Sequence, residues 1–220
     1  MPILPSESPS APPLHQLQVQ GLQLGYTDWN LCRDWTHTWA PGLHLVLGGD
    51  GAGKSSLLRV LAGAQAPAAG QVHWSGQPVS GNSVFWVDPR QPALQGANQG
   101  TPQQWIAQLL QRYPGWDAVQ WHTHVEQWQL QAALSKPWHA LSTGTARKLW
   151  MAAGLASGAP LVLVDEPIAG LDRPSVTYLR EALRQRAGQE AQWLVVAHYD
   201  DLQGLPWDSV LELAALPQQA

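Results

Sequence analysis

Charged side chains, cysteine and lysine are all scarce in this chain of 220 residues. Only 13% of the residues are Asp, Glu, Lys or Arg, against about 25% in an average soluble domain. The single cysteine, Cys32, excludes an internal disulfide and fits a reducing compartment. Acids outnumber bases 16 to 12. The chain therefore offers no basic surface to follow a nucleic-acid backbone, and we expect no nucleic-acid partner.

Long apolar runs are also missing. The longest one, residues 149–164, contains two glycines and a proline and is shorter than the roughly 20 residues that a spanning helix needs. Residues 1–14 are rich in proline and have neither a basic flank nor an apolar centre, so we expect a disordered tail rather than a secretory signal. The sequence thus predicts a soluble protein inside the cell, with a single domain over residues 15–220.

Strand and helix patterns alternate along most of the chain. Alternating apolar residues over 17–26 predict an antiparallel strand or a hairpin, and another strand-like segment follows at 34–39. After residue 43, short apolar runs alternate with helical stretches, which favours a mostly parallel sheet covered by helices. We therefore predict an α/β fold with a mostly parallel core sheet, an N-terminal antiparallel β subdomain and a short helical insert at about 92–140.

A glycine-rich loop lies between the apolar run at 43–47 and a helical pattern. It fits G-x-x-x-x-G-K-[ST] in full, in the context in which this motif binds phosphate groups. Glycines let backbone N–H groups converge on phosphate oxygens, and the helix N-terminus adds a favourable dipole. Lys54 would contact the β and γ phosphates, and Ser55 would ligate Mg²⁺. The predicted nucleotide-binding residues are Gly48, Gly49, Asp50, Gly51, Ala52, Gly53, Lys54, Ser55 and Ser56.

Two acids, Asp165 and Glu166, directly follow the apolar run at 161–164. A buried parallel strand of this kind ends near the phosphate loop, so Asp165 is predicted to hold Mg²⁺. Glu166 points elsewhere and is predicted to polarise the water that attacks the γ phosphate. Together with the loop, these acids indicate a P-loop NTPase.

Further motifs resemble one branch of that superfamily, the ABC-transporter ATPases. The segment Leu141-Ser142-Thr143-Gly144-Thr145 resembles their LSGGQ signature, and Ser142 precedes Asp165 by 23 residues, a spacing similar to that family's. Ala169-Gly170-Leu171-Asp172 resembles the D-loop, and His198 resembles the switch histidine. The resemblance covers residues 17–213, and the motifs occur in the family's order.

The resemblance implies roles for several residues outside the two phosphate motifs. Ser142 and Gly144 would contact the γ phosphate bound to a second copy, Asp172 would belong to the same nucleotide site, and His198 would contact the γ phosphate. Tyr26, 22 residues before Gly48, would stack on adenine, with Trp29 as its nearest rival. The signature departs from the family pattern, because Thr143 and Thr145 replace a glycine and a glutamine.

The Gln loop is the motif that matches least well. The segment Val87-Asp88-Pro89-Arg90-Gln91-Pro92 aligns so that either Arg90 or Gln91 takes the place of the usual glutamine. We favour Gln91, because a neutral amide can hold both a Mg²⁺ water and the attacking water, whereas an arginine would repel the metal.

The function implied by the resemblance is ATP hydrolysis as the nucleotide-binding subunit of an ABC transporter. Glu166 would act as base, Lys54 and Mg²⁺ would offset charge, and His198 and Gln91 would order the site. Two ATP molecules would lie in a head-to-tail dimer with this chain or a paralogue. A separate membrane permease would hold the protein at the inner face of the cell membrane. The alternatives are an ATP-binding regulatory module with little hydrolysis and a soluble ATPase not tied to transport.

Overall fold

Two β-sheets and five α-helices make up the part of the chain that the structure, a computed structural model, describes: residues 16–26, 29–79, 81–187 and 192–215. The predicted tail at 1–14 lies outside these described residues. No helix within them is both long and apolar enough to span a bilayer.

The first sheet is antiparallel and has the strand order β2-β1-β4-β5. Its strands are β1 (Leu17–Tyr26), β2 (Trp29–Trp39), β4 (Ala69–Trp74) and β5 (Gln77–Pro78). Residues 17–26 form one strand, not the alternative hairpin. The register against β2 shifts near Gly21, whose φ of 57° is readily adopted only by glycine. The predicted N-terminal antiparallel β part is confirmed.

The second sheet is parallel throughout, with the strand order β6-β7-β8-β3-β9. Its strands are β3 (Gly42–Leu47), β6 (Val84–Trp86), β7 (Leu161–Asp165), β8 (Trp193–His198) and β9 (Ser209–Glu212). The central strands are short apolar runs, as expected for a sheet buried on both faces. Because β7, β8 and β3 are parallel neighbours, their carboxyl ends lie at one edge of the sheet. The predicted mostly parallel core is confirmed.

Five helices flank these strands, and side chains cap four of them at the N-terminus. They are α1 (Lys54–Leu61), α2 (Pro102–Arg112), α3 (Ala118–Gln127), α4 (Thr143–Ala156) and α5 (Arg173–Arg184). The capping residues are Thr101, Asp117, Ser142 and Asp172. Helix α3 ends at Gln127, and two residues later Gln129 adopts a left-handed backbone with φ 54° that cannot continue a helix.

Tryptophans form much of the core around the helices that lie within residues 92–140. Trp105, Trp121, Trp128 and Trp138 are all buried. The rings of Trp105 and Trp138 meet edge to face with centroids 5.5 Å apart, a favourable aromatic geometry. These side chains join helices α2 and α3 to α4 in one apolar cluster. The helices within residues 92–140 therefore pack directly on α4, the helix that Ser142 caps.

Candidate active site

The phosphate loop runs from the end of β3 to the start of α1. Its first amide is anchored, because Gly48 N donates to the carbonyl of His198 over 3.2 Å. Gly51 and Gly53 have φ values of 76° and 96°, a conformation that a side chain would strain. Gly53 caps α1 without a side-chain hydrogen bond. The first amides of α1 therefore receive no hydrogen bond from a capping side chain, as an anion site requires.

A cavity of about 280 Å³ opens over this loop. Its lining residues are Gly49, Asp50, Gly51, Ala52, Gly53, Lys54, Ser55, Ser56, Arg90 and Glu166. Eight of these belong to the predicted phosphate loop, and Glu166 arrives from the end of β7. The cavity combines loop amides, two cations and two acids, Asp50 and Glu166, a set suited to a phosphate chain beside a general base.

Lys54 is a buried cation at the floor of this cavity, with a relative exposure of 6%. Its ammonium group donates to the carbonyls of Gly48 and Gly49 over 2.7 and 3.0 Å. It also forms an ion pair with Glu166, with Nζ 3.0 Å from Oε1. These three contacts hold the ammonium group between the loop backbone and the Glu166 carboxylate.

Asp165 ends β7 and is almost fully buried. Burial raises the pKa of its carboxyl group, and a hydrogen bond from Ser55 partly counters that rise. Its Oδ1 atom is buried with no hydrogen-bond partner among the residues that the structure describes, an unfavourable state unless a ligand satisfies it. A carboxylate with a free oxygen beside a serine hydroxyl fits Mg²⁺, which binds through few protein oxygens and keeps several waters.

Glu166 follows Asp165 and holds a left-handed backbone with φ 48°, which is unusual for a residue with a side chain. Its amide donates to the carbonyl of Ala197 over 2.9 Å. Its Oε2 accepts from His198 Nδ1 over 2.8 Å, while Oε1 pairs with Lys54. Burial alone would raise the pKa of Glu166, but hydrogen bonds from His198 and Lys54 outweigh it and lower that pKa.

His198 ends β8 next to Glu166 and is fully buried. Its Nδ1 contacts Glu166, and its Nε2 lies 3.5 Å from Asp200 Oδ1. His198 thus directly contacts Glu166, and the γ-phosphate contact predicted for it stays a prediction.

Arg90, rather than Gln91, reaches the phosphate cavity in the structure. Arg90 lines the cavity and attracts the Asp165 carboxylate electrostatically. Gln91 is exposed and lines a neighbouring cavity of about 460 Å³, together with Arg90 and Asp88. The buried Asp88 shapes this segment, because its Oδ1 accepts from the Arg90 amide over 2.9 Å. The role of Gln91 at the metal and at the attacking water stays a prediction.

The signature and D-loop residues lie apart from this cavity, since none of them is among the described residues that line it. Ser142 is exposed and caps α4 by accepting from Thr145 N over 3.1 Å. Gly144 is buried against the carbonyl of Gly170. Asp172 caps α5, and hydrogen bonds from the Ser175 side chain and amide lower its pKa. The roles that the resemblance gives these residues toward a second copy stay predictions.

The adenine contact predicted for Tyr26 also stays a prediction. The backbones of Tyr26 and its rival Trp29 pair with each other at adjoining ends of β1 and β2. Both side chains lie outside the described part of the structure.

Sequence reasoning missed Arg147, which the structure places directly behind the two strand-end acids. Its guanidinium donates to the backbone carbonyls of Asp165 and Glu166 over 3.0 and 2.7 Å. One signal could have revealed it: in a chain so poor in charge, Arg147 and Lys148 are adjacent and open an otherwise uncharged helical run.

Comparison with known proteins places this site in a family. A family model described as ABC transporter matches residues 37–169, which is more than half of the chain. The chain belongs to the ABC transporter family. It is an ATP-binding subunit of that family, whose members are ATPases.

Curated relatives are identical to this chain at about a third of the aligned positions. The cytochrome c biogenesis ATP-binding export protein CcmA of Brucella abortus is 32% identical over 157 residues, which cover 70% of this chain and 71% of that protein. The protein of the same name from Rhodospirillum rubrum is 34% identical over 190 residues, covering 79% of this chain and 75% of its own.

Solved structures agree with the fold. A putative ABC transporter ATP-binding protein from Pyrococcus furiosus aligns with a TM-score of 0.73 at 19% identity, over 92% of this chain and all of that one. An ATP-binding subunit of an ABC transporter aligns with a TM-score of 0.67 at 21% identity, over 83% and 79% of the two chains. The α/β fold predicted from the sequence is therefore confirmed.

Proposed function

We propose that the phosphate-loop cavity binds ATP with Mg²⁺ and that hydrolysis there drives a separate membrane permease. The observation that carries this proposal is the convergence of three elements on one point: Lys54 from the loop and His198 from β8 both contact the carboxylate of Glu166. Such a cluster supplies a phosphate-binding cation, a base and a group that orients the base.

The residues of this chain divide the chemistry among them. Lys54 exchanges its carbonyl acceptors for phosphate oxygens and offsets their charge. Glu166, freed from Lys54, accepts or orients the proton of the attacking water, while His198 holds its other oxygen. Asp165 and Ser55 would hold Mg²⁺, which supplies Lewis-acid stabilisation of negative charge when bound. Hydrogen bonds from His198 and Lys54 lower the pKa of Glu166, and the one from His198 remains when Lys54 turns to phosphate.

The proposed working unit is a head-to-tail dimer of nucleotide-binding subunits, formed with a second copy or a paralogue. Ser142 is exposed at the N-terminus of α4 and lines no part of the cavity among the described residues. A serine hydroxyl at a helix N-terminus suits an anion, so it is available to a phosphate bound on another chain. We further propose that the permease holds this subunit at the inner face of the membrane.

Relatives suggest the transport task. The two CcmA proteins compared above are named for export in cytochrome c biogenesis. We propose that this chain serves a transporter of that kind. Deleting its gene in the source organism is expected to remove haem-stained c-type cytochromes from membrane fractions, and the wild-type gene should restore them. Unchanged cytochromes would contradict this assignment and leave the ATPase proposal intact.

The variant Glu166→Gln tests the chemistry and the dimer together. It keeps the size of the side chain but removes the charge, so we expect ATP to bind while hydrolysis falls by roughly 10²–10⁴. The bound ATP should then trap a dimer in size-exclusion chromatography. Adding Ser142→Arg should return the protein to a monomer through steric block, whereas Thr123→Arg, on an exposed position of α3, should not. Hydrolysis at the wild-type rate would exclude Glu166 as the base.

A further inference from the structure

Arg147 is the one residue of α4 that hydrogen-bonds the backbone of both acids at the end of β7, among the contacts that the structure describes. The same nitrogen, Nη1, donates to the carbonyl of Asp165 over 3.0 Å and to that of Glu166 over 2.7 Å. The signature serine, Ser142, caps the N-terminus of helix α4. Arg147 therefore joins the signature helix to the backbone on which the base is mounted.

The backbone at this point needs external support. Glu166 adopts a φ of 48°, a left-handed conformation that costs of order 1–3 kcal/mol for a residue with a side chain. Such a conformation persists only when its surroundings over-determine it. Three bonds do so here. The Glu166 amide donates to Ala197 of β8, and the Glu166 carbonyl accepts from Arg147 over 2.7 Å and from the Ala169 amide over 3.3 Å. These bonds hold the peptide groups on both sides of the strained residue, and the one from Arg147 is the shorter of the two to the carbonyl.

Arg147 lies outside the phosphate cavity. It does not line the phosphate cavity among the described residues, and it lines a small apolar cavity of about 20 Å³ with Trp150, Met151 and Asp165. Burial lowers its pKa, while the charges of Asp165 and Glu166 oppose that change. A half-buried cation beside two acids fits a positioning task, because it approaches their carbonyls rather than their carboxylates.

We propose that Arg147 is a positioning residue for ATP hydrolysis, which holds Glu166 in its left-handed conformation and transmits the placement of the signature helix to it. This inference rests on the proposed role of Glu166 as base. Because Arg147 belongs to α4, the position of α4 sets the position of the carbonyls that Arg147 binds and, through them, that of the Glu166 carboxylate.

Three variants of the full chain test this inference, with Kd for ATP, kcat and the melting temperature measured on each. Arg147→Met keeps an apolar stem of similar reach but removes all donors, so we expect kcat to fall at least tenfold while Kd stays within about twofold. Arg147→Lys restores one charged donor group and should recover part of kcat. Arg112→Met is the matched control, because Arg112 also donates to a backbone carbonyl, that of Gly81, but outside the phosphate cavity.

The outcomes separate this inference from the proposed function. A wild-type protein that binds ATP without hydrolysing it would overturn both. If the wild type hydrolyses ATP and Arg147→Met does so at the same rate, only the positioning role would be overturned. If the ATP affinity, kcat and the melting temperature of Arg147→Met all fall together, Arg147 would be assigned to stability only. If Arg147→Met does not fold, Arg147→Lys decides: a lowered kcat with unchanged Kd supports the role, and a wild-type kcat overturns it.

Discussion

Lys54 and Glu166 form an ion pair across the phosphate cavity, with Nζ 3.0 Å from Oε1. The pair joins the cation that is proposed to bind phosphate with the acid that is proposed to activate water. Both groups are thus engaged with each other in the structure described here. Binding of a phosphate chain would draw Lys54 away and release one oxygen of Glu166, which links occupancy of the site to the availability of its base.

Removal of Lys54 is expected to abolish ATP binding at millimolar nucleotide. Each charge-assisted hydrogen bond lost to phosphate costs roughly 1.5–3 kcal/mol, and Lys54 is the buried cation of the loop. Equilibrium binding of ATP to Lys54→Ala measures this. Lys136→Ala, which changes an exposed lysine in another part of the chain, should bind as the wild type does. An unchanged affinity in Lys54→Ala would exclude the loop as the phosphate site.

Arg90 and Gln91 should affect different steps. Arg90 lines the phosphate cavity, so Arg90→Ala is expected to weaken ATP binding through loss of a positive charge near the phosphates. If the Gln91 amide orders the attacking water, Gln91→Ala should slow turnover and leave binding nearly intact. Steady-state kinetics combined with ATP titration separates the two effects. Slow turnover in Arg90→Ala, with Gln91→Ala active, would assign the Gln-loop role to Arg90.

Gly144 is expected to resist even the smallest substitution. Alanine would normally stabilise a helix by about 0.5–1 kcal/mol relative to glycine. Here an added Cβ would overlap the carbonyl of Gly170, and such overpacking costs roughly 1–3 kcal/mol. We therefore expect Gly144→Ala to lower the free energy of unfolding in urea, whereas Thr143→Ala, at the exposed neighbouring position, should change it little. A more stable Gly144→Ala would show that the D-loop yields freely.

His124 should make the folded state sensitive to acid. Burial lowers its pKa from 6.5 to about 4, and its Nδ1 lies 2.6 Å from the Tyr178 hydroxyl. Because the unfolded chain binds a proton at higher pH than the folded one, stability falls as pH drops from 6.5 towards 4, by roughly 3 kcal/mol. Urea unfolding of His124→Gln across this range should show a shallower fall, and the exposed His122→Gln should follow the wild type. Identical pH profiles would contradict the shift.

The phosphate loop and the strand-end acids were predictable from the sequence alone because their chemistry is local. Residues 48–56 are proposed to bind phosphate through consecutive amides and one lysine, and such a motif is contiguous along the chain. Asp165 and Glu166 are likewise recognisable from the local sequence, because they directly follow an apolar run. The parallel core was predicted because short apolar runs alternate with helical stretches after residue 43. The structure contains strands and helices in the same alternation.

Other features depended on contacts between distant segments, which no local pattern encodes. The choice between Arg90 and Gln91 for the cavity depends on how buried Asp88 turns the chain. The contact between Lys54 and Glu166 and the support that Arg147 gives to Glu166 each join residues that are far apart in sequence. The sequence alone determined which groups can carry the chemistry, because residue type sets charge and acidity. Only the packing of β7, β8 and α4 decided which of those groups meet, because a side chain's neighbours are set by tertiary structure.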